Sequence, residues 1–361
     1  MQFAIEQKEL MTALTQVLKL VPSRPTHPIL AGILVEAKGD TVTLTGFNLS
    51  NGIKIQLPAD VIIPGSAVFP GKLFADAVSK LPKGELNIVN NQASLKVAGE
   101  RAEINLNSMD ASEYPELPLT QENTLNFEEG KLPTAIGRVL FAVSGDETKQ
   151  VLTGINFRTK DERLVIAGTN GHVLARYETE AGELDLPSGL TVPAGVLSVL
   201  NSLKIKGDIQ VSFDDTLVSF YAGSVTLVGR VLQGHYPMVD QLIPATYEHT
   251  VTFNRKALIN AAQSVSFLDQ KEHLIILKFN TLICTISGKA NDIGSAKFEI
   301  DCDYDNGGQE YQIMFNASYL ISGLSTFEEE TIKLNMNAPN THATVTDETT
   351  TFLLMPVQTV K

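Results

Sequence analysis

Laid against itself, the chain repeats one plan three times at intervals of about 120 residues, and this self-similarity constrains the fold more than any other feature. A short apolar strand runs into an amphipathic helix: Ile5 with Leu10, Ala13 and Val17 recurs as Phe127 with Leu132, Ala135 and Val139, and again as Phe253 with Leu258, Ala261 and Val265. That i, i+3, i+7 rhythm is one buried helix face. A second motif, Phe69-Pro70 with Phe74, returns as Val192-Pro193 with Leu197 and as Phe315-Asn316 with Leu320. Proline is tolerated in a first helical turn and asparagine caps one. Between these helices Thr41–Thr45, Arg163–Ala167 and Leu282–Ile286 alternate like strands, each running into a glycine (Gly46, Gly168, Gly288) that reads as a turn. Tyr114-Pro115 and Tyr236-Pro237 close the first two copies.

So long a period is whole-domain triplication, not a solenoid. The expected fold is α+β, with three tandem homologous domains at residues 1–121, 122–246 and 247–361, each built from antiparallel sheets and two helices.

Charge separates the helices from the rest. The chain has 28 basic and 41 acidic residues, a net charge of -13, which argues against an overall grip on DNA or an anionic membrane. Yet the expected helices, residues 6–20, 71–83, 131–144, 193–206, 255–268 and 316–327, hold eleven basic residues against Glu6, Glu9 and Asp76. Gathered on one side, they make a surface that meets phosphates without reading sequence.

Enzymatic readings find little support. Cys284 and Cys302 form no CxxC and no histidine cluster, so neither a disulfide framework nor a zinc site is expected. No GxxxxGK[ST] motif appears. His172 has no recognisable nucleophile or orienting acid, and Asp214-Asp215 and Glu328-Glu329-Glu330 read as solvated acids. A soluble cytoplasmic protein with no cofactor, no metal, no catalytic residue and no membrane partner is expected.

The chain resembles the bacterial DNA polymerase III β subunit, the sliding clamp family. The resemblance rests on Ser23-Arg24-Pro25-Thr26-His27-Pro28-Ile29-Leu30, Leu44-Thr45-Gly46-Phe47-Asn48-Leu49, Val151-Leu152-Thr153-Gly154, Gly168-Thr169-Asn170-Gly171-His172-Val173-Leu174-Ala175 and Leu354-Met355-Pro356-Val357, in this order along the whole chain. It implies a head-to-tail homodimer closing a six-domain ring on double-stranded DNA, sequence-independently. It further implies a hydrophobic cleft for peptides of the replicative polymerase, clamp loader, repair and translesion polymerases, mismatch-repair and initiator-regulating proteins.

By matching positions, the cleft residues would be Leu152, Thr169, Gly171, His172, Val173, Leu174, Pro237, Leu242, Leu353, Leu354, Met355 and Pro356. Val173, Gln241 and Gln358 replace basic residues common in the family, and Thr359-Val360-Lys361 extends past its usual end. DNA would be faced by Arg24, Lys72, Lys80, Lys149, Lys204 and Lys206, and the dimer closed by Ile104 and Leu106 against Phe267 and Leu268. The competing expectation is a clamp-fold paralogue or ligand-binding three-domain protein that does not close a ring on DNA.

Overall fold

The computed structural model describes residues 1–181, 186, 189–268, 272–290, 294–304 and 310–358; Thr359-Val360-Lys361 lies outside them. Among the described residues are six α-helices, two per copy: α1 (Gln7–Val17), α2 (Gly71–Lys80), α3 (Lys131–Val139), α4 (Ala194–Ser202), α5 (Arg255–Ser266) and α6 (Ala317–Leu324). The expected stripes are buried, with Leu10, Ala13, Leu14 and Val17 in α1 and Leu258, Ala261, Ala262 and Val265 in α5. Each buried leucine contributes about 1.5–3 kcal/mol relative to an exposed one. α1 packs on α2, and α5 on α6.

Helix ends differ from the sequence expectation. The apolar rhythm of α1 and α3 continues into short 3-10 turns, Leu18–Leu20 and Leu140–Ala142, where the α ladder has already ended. Pro70 and Pro193 stand one residue before their helices, and Asn316 caps α6 by accepting from the Tyr319 N–H. α4 stops at Ser202, so Lys204, with a left-handed φ of 48°, and Lys206 lie beyond it.

Gly46, Gly168 and Gly288 are not turns. They sit inside the strands Thr41–Phe47, Arg163–Thr169 and Ile283–Ala290. A Cβ at these positions would lie 2.9 Å from the Val17 carbonyl, 2.8 Å from the Val139 carbonyl and 2.6 Å from Val265 Cγ1. The bare backbone lets the C-terminal end of each first helix rest on its sheet.

By contacts the chain falls into two units, Met1–Pro133 with Gly195–Val231, and Thr134–Ala194 with Leu232–Lys361. In the first, a five-stranded sheet runs in the order Asp60–Ile63, Gln2–Glu6, Glu85–Asn91, Ser94–Ala98, Glu103–Asn107. An eight-stranded sheet runs Thr124–Phe127, Ile209–Phe213, Leu217–Ala222, Val225–Arg230, Asn51–Pro58, Thr41–Phe47, Gly32–Lys38, Gly65–Pro70. In the second unit one twelve-stranded sheet begins Leu190–Pro193, Gly154–Lys160, Arg163–Thr169, Val173–Glu180, Thr350–Leu354 and ends Gly294–Asp303, Ile283–Ala290, Leu274–Phe279, Tyr311–Asn316.

The middle third is thus divided: Val225–Gly229 pairs antiparallel with Asn51–Ile55, and Val173–Tyr177 with Thr350–Leu354. The triplication survives to single residues. Leu34, Thr45 and Lys54 oppose one another across three strands, as do Asn156, Ala167 and Arg176, and Ile276, Ser287 and Lys297.

Candidate functional site

The groove region starts from a tight turn. Asn170 Oδ1 accepts from the N–H of His172 (2.8 Å) and Val173 (3.0 Å), while Thr169 Oγ1 donates to the Val173 carbonyl (2.6 Å) and accepts from the Gly171 N–H (3.2 Å). Gly171 has φ 91°, which a glycine adopts without strain. The turn delivers Val173–Glu180 against Thr350–Leu354, with Leu174 opposite Leu353 and Val173 opposite Leu354, and the Met355 N–H closes the join on the His172 carbonyl at 2.9 Å.

Strand alternation sorts the expected residues. Leu174 and Leu353 pack with Ala167 and Val239, flanked by Tyr236 and Ile243. Val173 and Leu354 are turned to the opposite face, so they back the groove and do not line it. Leu152 is half-buried at the end of the 3-10 segment Glu147–Thr153 and is not part of the Leu174 cluster. In the segments that flank this cluster in sequence the chain exposes apolar groups: Met238 is 64% exposed, Leu242 49% and Met355 40%, and Pro237 is exposed too. Pro356 is half-buried. His172 is exposed and stacks on Tyr319 at 6.1 Å between ring centres. Among the described residues, cavities also lie on the sheet faces of the first and last thirds; the exposed apolar side chains flanking the Leu174 cluster in sequence are of the kind an extended peptide buries.

Sequence reasoning missed what holds the groove's loop. Asp240, in the 3-10 turn Val239–Leu242, lies 2.6 Å from Arg158 Nη2, 3.1 Å from Arg176 Nε and 3.1 Å from Lys160 Nζ. Arg176 also pairs with Glu178. Arg158, Arg176 and Asp240 are mostly buried, so the pairs are weakly screened and anchor the segment carrying Pro237, Met238 and Leu242. The only sequence signal was a basic residue at alternate strand positions facing an apolar loop.

Three family models match: the N-terminal domain of the DNA polymerase III beta subunit at residues 1–118, its central domain at 126–238 and its C-terminal domain at 240–358. The chain belongs to the DNA polymerase III beta subunit family. It is 34% identical to the Beta sliding clamp of Synechococcus elongatus, covering 99% of both chains, and 28% identical to that of Staphylococcus aureus, covering 99% of this chain and 100% of the relative. The DNA polymerase sliding clamp structure from Bacillus subtilis superposes with a TM-score of 0.87 at 28% identity over all of both chains. A Bartonella birtlesii sliding clamp bound to griselimycin shares the fold at 0.92 and 23% identity, over 99% of this chain and 100% of that one.

As a beta subunit the chain is a non-catalytic processivity factor, and Asp214, one of the acids singled out in sequence, acts structurally. Asp214 Oδ1 accepts from Thr216 N and Oγ1 and from Leu217 N; burial opposes its ionisation, but these bonds prevail and hold the carboxyl down at about 2. Arg24, Lys72, Lys80, Lys149, Lys204 and Lys206 are all exposed. The six helices themselves carry seven basic residues against Glu9 and Asp76. Two of the seven have structural duties: Arg138 pairs with Asp347 and Glu328, and Arg255 donates to the Glu329 and Leu324 carbonyls at the end of α6.

At the closure patches, Ile104 and Leu106 are half-buried on Glu103–Asn107, the edge strand of the five-stranded sheet. Leu268 is half-buried and Phe267 63% exposed at the end of α5. Phe298, missed in the sequence, is exposed on Gly294–Asp303. Its polar neighbours hid it.

Proposed function

We propose that two copies of this chain close head to tail on duplex DNA as a six-domain ring, with domain boundaries near residues 121 and 246, and that the groove floored by Leu174, Leu353 and Val239 tethers DNA-processing partners to it. What supports the reading is the pairing of Leu174 with Leu353, packed with Val239, in segments that also expose Met238, Leu242 and Met355. Flexible methionines suit a series of related apolar peptides. Replicative and translesion polymerases, the clamp loader, mismatch-repair and initiator-regulating proteins use it in turn.

Retention on DNA is topological. Arg24, Lys72, Lys80, Lys149, Lys204 and Lys206 meet phosphates over a screening length of about 8 Å, so contacts are made and broken as the ring slides. Ile104 and Leu106 cover the exposed edge against Phe267, Leu268 and Phe298 of a second copy, which removes a strand edge that otherwise invites aggregation. The protein works in the cytoplasm, where the free thiols Cys284 and Cys302 stay reduced; burial pushes both up, Cys302 to about 11. No described helix is long and apolar enough to cross a membrane.

Negative-stain microscopy of the purified protein, classified without symmetry, tests the ring. Six-lobed closed particles are expected; crescents of three lobes at every concentration would overturn closure.

A further inference from the structure

We propose that the sheet face of the first third carries a second binding site, for a partner peptide presenting an arginine or lysine beside an apolar side chain. The row Leu34, Thr45, Lys54 matches the row Asn156, Ala167, Arg176 of the middle third in register, and Glu36 stands where Arg158 stands. The overlying tyrosines match as well: Tyr114 donates to the Thr45 carbonyl at 3.4 Å, as Tyr236 does to that of Ala167 at 3.3 Å.

In the middle third the chain fills the space over this row itself, with the Asp240 carboxylate between Arg158 and Arg176. Counting on from the tyrosines, the position of Asp240 is taken by Pro118, which brings no charge. The space stays open as a cavity of about 660 Å³ reached by Glu36, Lys54, Asp110, Glu116, Leu117 and Leu119, a size that receives a few side chains.

Its charge is not paired off, although Asp110 Oδ1 accepts from the Ser112 N–H at 2.9 Å. In the corresponding cavity of the last third, Lys278 is paired with Glu310 at 2.8 Å and Lys297 with Glu299 at 2.6 Å. Among the described residues no ion pair engages Glu36, Asp110, Glu116 or Lys54, which leaves three carboxylates facing one ammonium. That imbalance selects a cation. Leu34, Leu117 and Leu119 line the same cavity, and Leu119 is 44% exposed; this favours an amphipathic peptide over a free polyamine. The ligand cannot lie as it would in the Leu174 groove, because Gly52 takes the place of Leu174 and Leu117 Cδ1 occupies the gap.

The test uses full-length protein with labelled leucine methyl groups, titrated with the blocked peptide acetyl-leucyl-arginyl-leucine amide. Saturable shifts at Leu34, Leu117 and Leu119 are expected. Glu36→Lys should weaken them about tenfold or more, Glu116→Lys less, and the glutamyl analogue should leave them unmoved. Equal shifts from the glutamyl peptide, indifference to both substitutions, or the same response to spermidine alone would overturn the proposal. Leu174 and Leu242 methyls, titrated with a clamp-motif peptide, report the other groove in the same samples. Unchanged binding there under Glu36→Lys excludes a folding defect, and if it is lost, the exposed Glu116→Lys decides. Failure at Leu34, Leu117 and Leu119 with intact binding at Leu174 sinks this site and leaves the clamp reading standing.

Discussion

The sheet faces of the first and middle thirds have the same strand register and are finished in opposite ways. In the middle third, Leu174 and Val239 build an apolar floor and Asp240 ties the overlying loop to Arg158 and Arg176. In the first third, Gly52, Leu117 and Pro118 hold the equivalent places: the floor is closed by Leu117 folding onto Gly52, and the tie is missing. A duplicated backbone therefore preserves rows and turns, while these three side-chain exchanges, together with Glu36 in place of Arg158, decide whether a face offers an apolar groove or an acidic hollow.

The floor is where the comparison breaks most readily. Leu174→Ala leaves a void under a fully buried position and should cost about 3–4 kcal/mol in a urea titration, with loss of clamp-peptide binding; an unaltered urea midpoint would mean the floor is not packed as described. Asp240→Ala leaves Arg158 and Arg176 facing each other and should cost roughly 2–3 kcal/mol. Its peptide affinity should fall even where the protein is still fully folded, which calorimetry can read.

Gly52→Ala drives a methyl group into Leu117 and should destabilise by about 1–2 kcal/mol. Leu117→Ala in the same chain should recover most of that, and a thermal-melt cycle with no coupling between the two positions would refute the filling of Gly52. Met355→Ala, at an exposed position, should leave the melt unchanged while weakening clamp-peptide binding about tenfold.

The smallest effect concerns pH. The Ser112 N–H, and then its hydroxyl, hold the Asp110 carboxyl below its ordinary range, whereas the equivalent Leu232 has no such group. Because the folded value is depressed, the stabilisation is present above the ordinary value and is lost as pH falls through the folded one. Wild type and Asp110→Asn should differ in melting temperature near neutrality and converge in strong acid; a constant gap would assign the difference to something other than ionisation.

The triplication and the buried faces of α1, α3 and α5 were legible in sequence because periodic apolar residues depend on local geometry alone. Helix ends were not, since Leu18–Leu20 and Leu140–Ala142 keep the apolar rhythm while changing the hydrogen-bond pattern. Gly46, Gly168 and Gly288 looked like turns because the reason for a missing Cβ, the carbonyl or methyl of a packed helix, is far away in the chain. Of the groove, matching positions located both strands and the loop, but could not tell Leu174 from Val173, which only the pleat separates. Asp240 was invisible because its partners Arg158 and Arg176 are brought to it by the sheet.

The divided middle third has a mechanical consequence. Its Val225–Gly229 strand is zipped to Asn51–Ile55, and its Val173–Tyr177 strand to Thr350–Leu354. Neighbouring thirds therefore share continuous ladders where separate domains would have a greasy seam, and they cannot slip past one another without breaking a whole row of hydrogen bonds. Load passed along either ladder is shared among all its hydrogen bonds at once, as shear on a glued lap joint is shared along the bond line.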